Sequence, residues 1–111
     1  MKVAVVGSRS ITVEDIGAYL PDGVTTVVSG GARGVDACAA AYAREHGLEL
    51  IEIRPQYRRY RAGAPLMRNE EIVRQADAVV ALWDGVSKGT AHVIGLCQKT
   101  GVPVTVYIVK S

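Results

Sequence analysis

Short apolar runs at residues 2–6, 25–28, 48–53, 78–82 and 104–109 alternate with stretches that read as helices. No other feature constrains the fold as much. Short, β-branched, almost continuously apolar strands are buried on both faces, so helices must lie above and below them. Right-handed crossovers then give a Rossmann-like three-layer α/β/α sandwich with a mainly parallel sheet of about five strands.

The punctuation between the runs sets the helices. Thr12 with Asp15 makes a capping-box pattern for a helix to about Leu20, followed by a turn at Pro21-Asp22-Gly23. A second helix opens after Gly34, runs through Tyr42 and closes at His46-Gly47, where glycine suits the left-handed C′ position. Pro55 ends the third strand, and the loop after it reaches Pro65, which suits a first helical turn; that helix ends near Gln75. The last helix spans about 89–100 and stops at Gly101 and Pro103. With no linker, low-complexity segment or fixed-period repeat, residues 1–111 read as one domain.

Composition narrows the class. A hydrophobic fraction of 49% is ample for one core, and no apolar run approaches the ~20 residues of a membrane span. The first residues enter a strand pattern directly, without the regions of a signal peptide. Cys38 and Cys97 fall inside helical patterns and read as reduced, buried thiols, so the expected location is cytoplasmic. The net charge of +2 does not by itself imply nucleic acid. Arg54, Arg58, Arg59, Arg61, Arg68 and Arg74 do crowd the middle of the chain, interleaved with Tyr57 and Tyr60. Such a pattern can stack bases and contact phosphates, but a solvated arginine-rich loop is the plainer reading.

In a parallel sheet the carboxyl ends of the strands share one edge, where ligands bind. Three polar, glycine-bearing loops meet there: Gly7-Ser8-Arg9 after the first strand, residues 29–36 after the second, and residues 83–90 after the fourth. The second loop, Ser29-Gly30-Gly31-Ala32-Arg33-Gly34-Val35-Asp36, joins a strand to an alanine-rich helix. Glycines at such a junction allow close backbone approach, and the helix start offers unpaired N–H groups and partial positive charge. The expected ligand is an anion, most often a phosphate.

The loop is neither a dinucleotide G-x-G-x-x-G nor a Walker motif, and Lys88-Gly89-Thr90 lacks the Walker glycine spacing. No metal-ligand spacing is present, and His92 reads as a helix-surface residue. Arg68 shares a helix face with Ile72, so its guanidinium is expected at the crevice as a phosphate clamp; a salt bridge with Glu71 is the competing reading. Asn69 could offer an amide to a base or sugar. Asp36 suits the helix dipole and could accept from a ribose, while Asp84 follows a strand end as a ribose-binding or catalytic carboxylate would.

Taken together, Gly7-Ser8-Arg9, the Ser-Gly-Gly-Ala-Arg-Gly-Val-Asp loop, Arg-Pro-Gln-Tyr with Tyr60, Ala64-Pro65 with Arg68-Asn69, Ala76-Asp77, and Trp83-Asp84-Gly85 with Ser87-Lys88-Gly89-Thr90 resemble the SLOG superfamily. The resemblance is nearest to its small stand-alone bacterial and phage members. Relatives include the Lonely-guy phosphoribohydrolases, DNA-processing protein A and molybdenum-cofactor carriers. The resemblance implies a domain that binds a nucleotide or nucleotide-derived ligand, as sensor or carrier, and a homodimer. Arg68 falls on the functional arginine of the Lonely-guy enzymes, whose catalytic glutamate is replaced here by Val93. An N-glycoside hydrolase using Arg68 and Asp84 is therefore the alternative, and single-stranded nucleic-acid handling through the region of Arg58 to Arg61 is the second. The ligand-contact set expected on these grounds is Gly7, Ser8, Arg9, Ser29, Gly30, Gly31, Arg33, Gly34, Asp36, Arg68, Asn69, Asp84, Ser87, Lys88, Gly89 and Thr90.

Overall fold

The computed structural model describes residues 1–110. Its strands are β1 (Lys2–Gly7), β2 (Thr26–Ser29), β3 (Glu49–Glu52), β4 (Ala78–Trp83) and β5 (Val104–Ile108). They form one sheet in the order β3-β2-β1-β4-β5, and every neighbouring pair is parallel. The helices are α1 (Val35–Glu45), α2 (Tyr57–Tyr60), α3 (Ala64–Gln75) and α4 (Lys88–Thr100).

Strand alternation divides the core in two. Val3, Val5, Val27, Val80 and Leu82 pack with Val35, Ala39 and Ala43 of α1. Ala4, Val6, Val28, Val79 and Ala81 point the other way, against Ile72 and Val73 of α3 and Val93 and Cys97 of α4. This is the expected three-layer sandwich. Burying one Val or Leu side chain contributes roughly 1.5–3 kcal/mol, so the two small clusters are the main source of cohesion. The layers are incomplete at β5, where Val106, Tyr107 and Ile108 remain 37–62% exposed.

The helix expected after Thr12 is the main departure. The chain stays irregular from Ser8 to Asp15 and makes only a 3₁₀ turn, Ile16–Tyr19. Asp15 does sit at the cap position, but its side chain makes no capping bond. Two constraints outweigh the capping pattern. Gly17 lies so close to Tyr42 of α1 that a Cβ there would come within 2.7 Å of the phenol oxygen. Leu20 must be extended before Pro21, so no second turn can form. The segment instead buries Ile11 and Ile16 along the sheet. The loop before Pro65 is also more ordered than expected, holding α2 and a 3₁₀ turn at Arg61–Gly63. Cys97 is buried and Cys38 half-buried, both as free thiols.

The connections place β1 and β4 side by side although the segments following them cover opposite faces. Ile11 and Ile16 join the α1 side, whereas α4 lies on the other. Their carboxyl ends, Gly7 and Leu82, are register partners, and the Ser8 N–H donates to Leu82 O at 3.2 Å. A crevice necessarily opens at such a switch point.

Candidate ligand site at the sheet switch point

A cleft of about 960 Å³ occupies this position. One wall carries Ser8, Arg9 and Ser10 after β1 together with Ala32, Arg33 and Asp36 at the start of α1. Opposite lies the first turn of α4, Lys88, Gly89 and Thr90, preceded by Ser87. Arg68 and Asn69 of α3 close a third side, and Val6, Ile72 and Val93 give the cleft an apolar lining.

Two helices therefore begin on one cleft. The N–H groups of Arg33 and Asp36, and those of Lys88, Gly89 and Thr90, meet no acceptor among the described residues. Unpaired N–H groups and the positive dipole ends make both places suited to an anion. Arg9, Arg33, Arg68 and Lys88 add mobile or fixed positive charge.

Arg68 is the most constrained of these cations. Its Nη1 donates to Gly30 O at 2.7 Å and its Nε to Asn69 Oδ1 at 2.9 Å, while Nη2 makes no hydrogen bond among the described residues. Glu71 pairs instead with Arg74, so the salt bridge considered for Arg68 does not form. Burial lowers the Arg68 pKa, and the Asp36 carboxylate nearby acts against that shift. Asp36 is itself 7% exposed. Burial raises its pKa, opposed by the hydrogen bond that its Oδ2 accepts from Ala32 N–H and by the charges of Arg68 and Arg9.

The loop after β4 is held by Asp84. Its Oδ1 accepts from the N–H groups of Val86 and Ser87 at 2.9 and 2.8 Å, and its Oδ2 from Ser87 Oγ at 2.8 Å. These bonds, the backbone pair foremost, lower its pKa to about 2. Ser87 Oγ lies 2.9 Å from Ser8 Oγ, and Asp84 N–H donates to that same Ser8 oxygen. Ser8 thus ties the β1 and β4 loops together at the base of the cleft.

Of the expected contact residues, Gly7, Ser8, Arg9, Arg33, Asp36, Arg68, Asn69, Ser87, Lys88, Gly89 and Thr90 line the cleft. Ser29, Gly30, Gly31, Gly34 and Asp84 sit behind its surface and shape it. Gly34 has φ +75°, and a Cβ there would lie 2.5 Å from Arg9 O and 2.6 Å from Ser8 O. A Cβ on Gly30 would meet Arg68 Nη1 at 2.7 Å, and one on Gly31 would face Arg54 rather than the cleft. These glycines let the two loops and Arg68 close on one another. Sequence reasoning missed Ala32, Ala62, Pro65 and Leu66, whose small or apolar side chains carry no chemical signal. It also missed His92, whose Nδ1 lies 3.0 Å from Asn69 Nδ2 across the α3–α4 contact.

The family model YAcAr, described as the YspA, cpYpsA-related SLOG family, matches residues 1–60. The chain belongs to this SLOG family. It is 38% identical over 84 residues to the Gene 61 protein of Mycobacterium phage D29, an alignment covering 70% of this chain and 67% of that one. No solved structure matches. The SLOG match covers β1 to β3, α1 and α2, and hence the Gly7-Ser8-Arg9 and Ser29 to Asp36 loops. Arg68, Asn69 and the start of α4 lie beyond it. No helix among the described residues is long and apolar enough to cross a membrane.

Proposed function

We propose that the cleft binds a nucleotide or a nucleotide-derived phosphorylated small molecule, and that the chain serves as a sensor or carrier domain for it. The observation that carries this reading is the meeting of two helix N-termini and the tethered Arg68 on one cleft at the switch point. A phosphate there would take N–H donors from both helices and the free Nη2 of Arg68. The apolar patch formed by Pro65, Leu66 and Ala62 would suit the base. Asp36, buried beside Arg68, would accept from a ribose hydroxyl.

Isothermal calorimetry with AMP tests the reading. Arg68→Lys keeps the charge but loses the planar fork, so the dissociation constant should rise about tenfold or more. Unchanged binding of AMP by Arg68→Ala would reassign the residue to holding the Gly30 loop alone.

The hydrolase alternative is disfavoured by Val93. It lines the cleft where the Lonely-guy resemblance calls for a glutamate, and a valine can neither donate nor accept a proton. Asp84 is ionised at neutral pH with both oxygens engaged, a poor general acid. The expected result is no release of adenine from AMP by chromatographic assay. Turnover lost in Asp84→Asn would overturn this ranking. Nucleic-acid handling through Arg58 to Arg61 has less behind it, because none of these arginines lines the cleft. The homodimer implied by the family resemblance is tested by sedimentation, where a dimer has twice the 11.8 kDa of one chain.

A further inference from the structure

Arginine can only donate hydrogen bonds, and this fixes the orientation of its neighbour. Because Arg68 Nε donates to the Asn69 side chain, the atom it meets must be the amide oxygen. The amide nitrogen of Asn69 therefore faces His92, and it too can only donate. At 3.0 Å, His92 Nδ1 must accept, so this contact requires the tautomer that carries its proton on Nε2. Asn69 is 5% exposed, so its amide has little access to water as a substitute partner. The chain His92–Asn69–Arg68–Gly30 thus links α4 through α3 to the loop after β2, with donation leading outward from Arg68 at both of its contacts and no donor or acceptor mismatched.

We infer that His92 is a positioning residue: by accepting from Asn69 it fixes the amide that orients the Arg68 guanidinium toward the cleft. The ligand part of this inference rests on the phosphate reading of the cleft, but the positioning itself does not. A His92 that gains a proton presents a donor to a donor, and the Asn69 amide must turn. Turning it withdraws Oδ1 from Arg68 Nε. The charged groups around this helix contact are Arg68, reached through Asn69 on α3, Glu70, which lines the α3–α4 groove together with Leu96, and Lys88, one turn earlier on α4. Toward the cleft, β1 contributes the apolar Val6. Among the described residues His92 forms no ion pair with a carboxylate.

The test uses the full chain and two readouts. The first is the Nε–H resonance of Arg68 in ligand-free protein, followed by NMR from pH 8 to pH 5.5 alongside the His92 ring protons. The second is AMP affinity at pH 8, where neither the phosphate nor the imidazole confuses the comparison. His92→Leu removes the acceptor, whereas His92→Gln replaces it with a non-titrating one. His92→Leu should displace the Arg68 resonance and weaken AMP binding about fivefold, the equivalent of one ordinary hydrogen bond. His92→Gln should restore both. In the wild type the Arg68 resonance should move with the titration of the His92 ring, and in His92→Gln it should not. An Arg68 resonance indifferent to His92→Leu and to His92 protonation overturns the inference, whatever the AMP affinities. Should His92→Leu fail to fold, the wild-type titration decides alone. A resonance that responds in a protein that never binds AMP upholds the positioning role and instead removes the phosphate reading of the cleft.

Discussion

Asp84, in the loop after β4, and Asp36, in the first turn of α1, are carboxylates with opposite environments. Asp84 is stabilised as an anion by two backbone N–H groups and the Ser87 hydroxyl, whereas burial works against the charge of Asp36. The consequence for Asp84 is a definite pH window. Its folded pKa of about 2 lies below the ordinary value of 3.8, so its stabilising effect is complete above roughly pH 4–5. That effect is lost as the pH falls through the folded value. The protection of the Val86 and Ser87 amides, their exchange relative to an unstructured chain at the same pH, should therefore persist at pH 5 and fall only between about pH 4 and 2. Asp84→Asn should lower this protection already at pH 5 and above, where wild-type Asp84 is ionised, because an amide nitrogen cannot accept from Ser87 Oγ while its oxygen holds both N–H groups. Exchange rates unaffected by this substitution would mean that the loop is held by Ser8 alone. Asp36→Asn, by contrast, should weaken AMP binding more than the binding of inorganic phosphate if Asp36 accepts from a ribose; equal effects on both ligands would leave it a structural acid.

At the scale of elements, the glycines separate into those that permit packing and those that do not matter to it. Gly34 must adopt a positive φ and must let the Ser8-Arg9 backbone lie against the start of α1. Gly34→Ala should destabilise the protein by about 2 kcal/mol or more, combining backbone strain with a clash against atoms that cannot rotate away. Gly95, inside α4, has no positive φ and nothing within 4 Å of a Cβ, so Gly95→Ala should stabilise by about 0.5–1 kcal/mol. Urea denaturation of the two variants checks both signs. The glycine loop was legible in the sequence as a strand-to-helix junction, and so was the placement of Arg68 beside Ile72, because helical spacing fixes which residues share a face. The purpose of each glycine was not legible. Whether Gly31 faces the cleft or Arg54 depends on a side chain arriving from after β3. The missing helix before Pro21 has a similar cause: Gly17 yields to Tyr42, a contact 25 residues away in the chain. The Asn69–His92 pair needs the crossing of α3 and α4, and neither residue type announces a partner in sequence.

For the whole molecule, the first strand in the chain is the central strand of the sheet. Lys2 N–H donates to the Asp77 carboxylate across 75 residues, and β4 supplies five of the eight register partners of β1, β2 the other three. A fragment of residues 1–60 would keep β1, β2, β3 and α1 but strip α3 and α4 from Ala4, Val6 and Val28. Circular dichroism should show no cooperative thermal transition for that fragment, in contrast to the full chain; a sharp transition would mean that the α1-side cluster can stand alone. The same topology orders events during synthesis. A ribosome delivers β1 first among these elements, yet its second neighbour β4 and the first turn of α4 emerge only after β2, α1, β3 and α3. Until Thr90 is free of the exit tunnel, one wall of the cleft does not exist. Any small molecule that needs both helix starts can therefore engage only a chain translated beyond Thr90, and it stabilises copies past that point while leaving those stalled before it untouched.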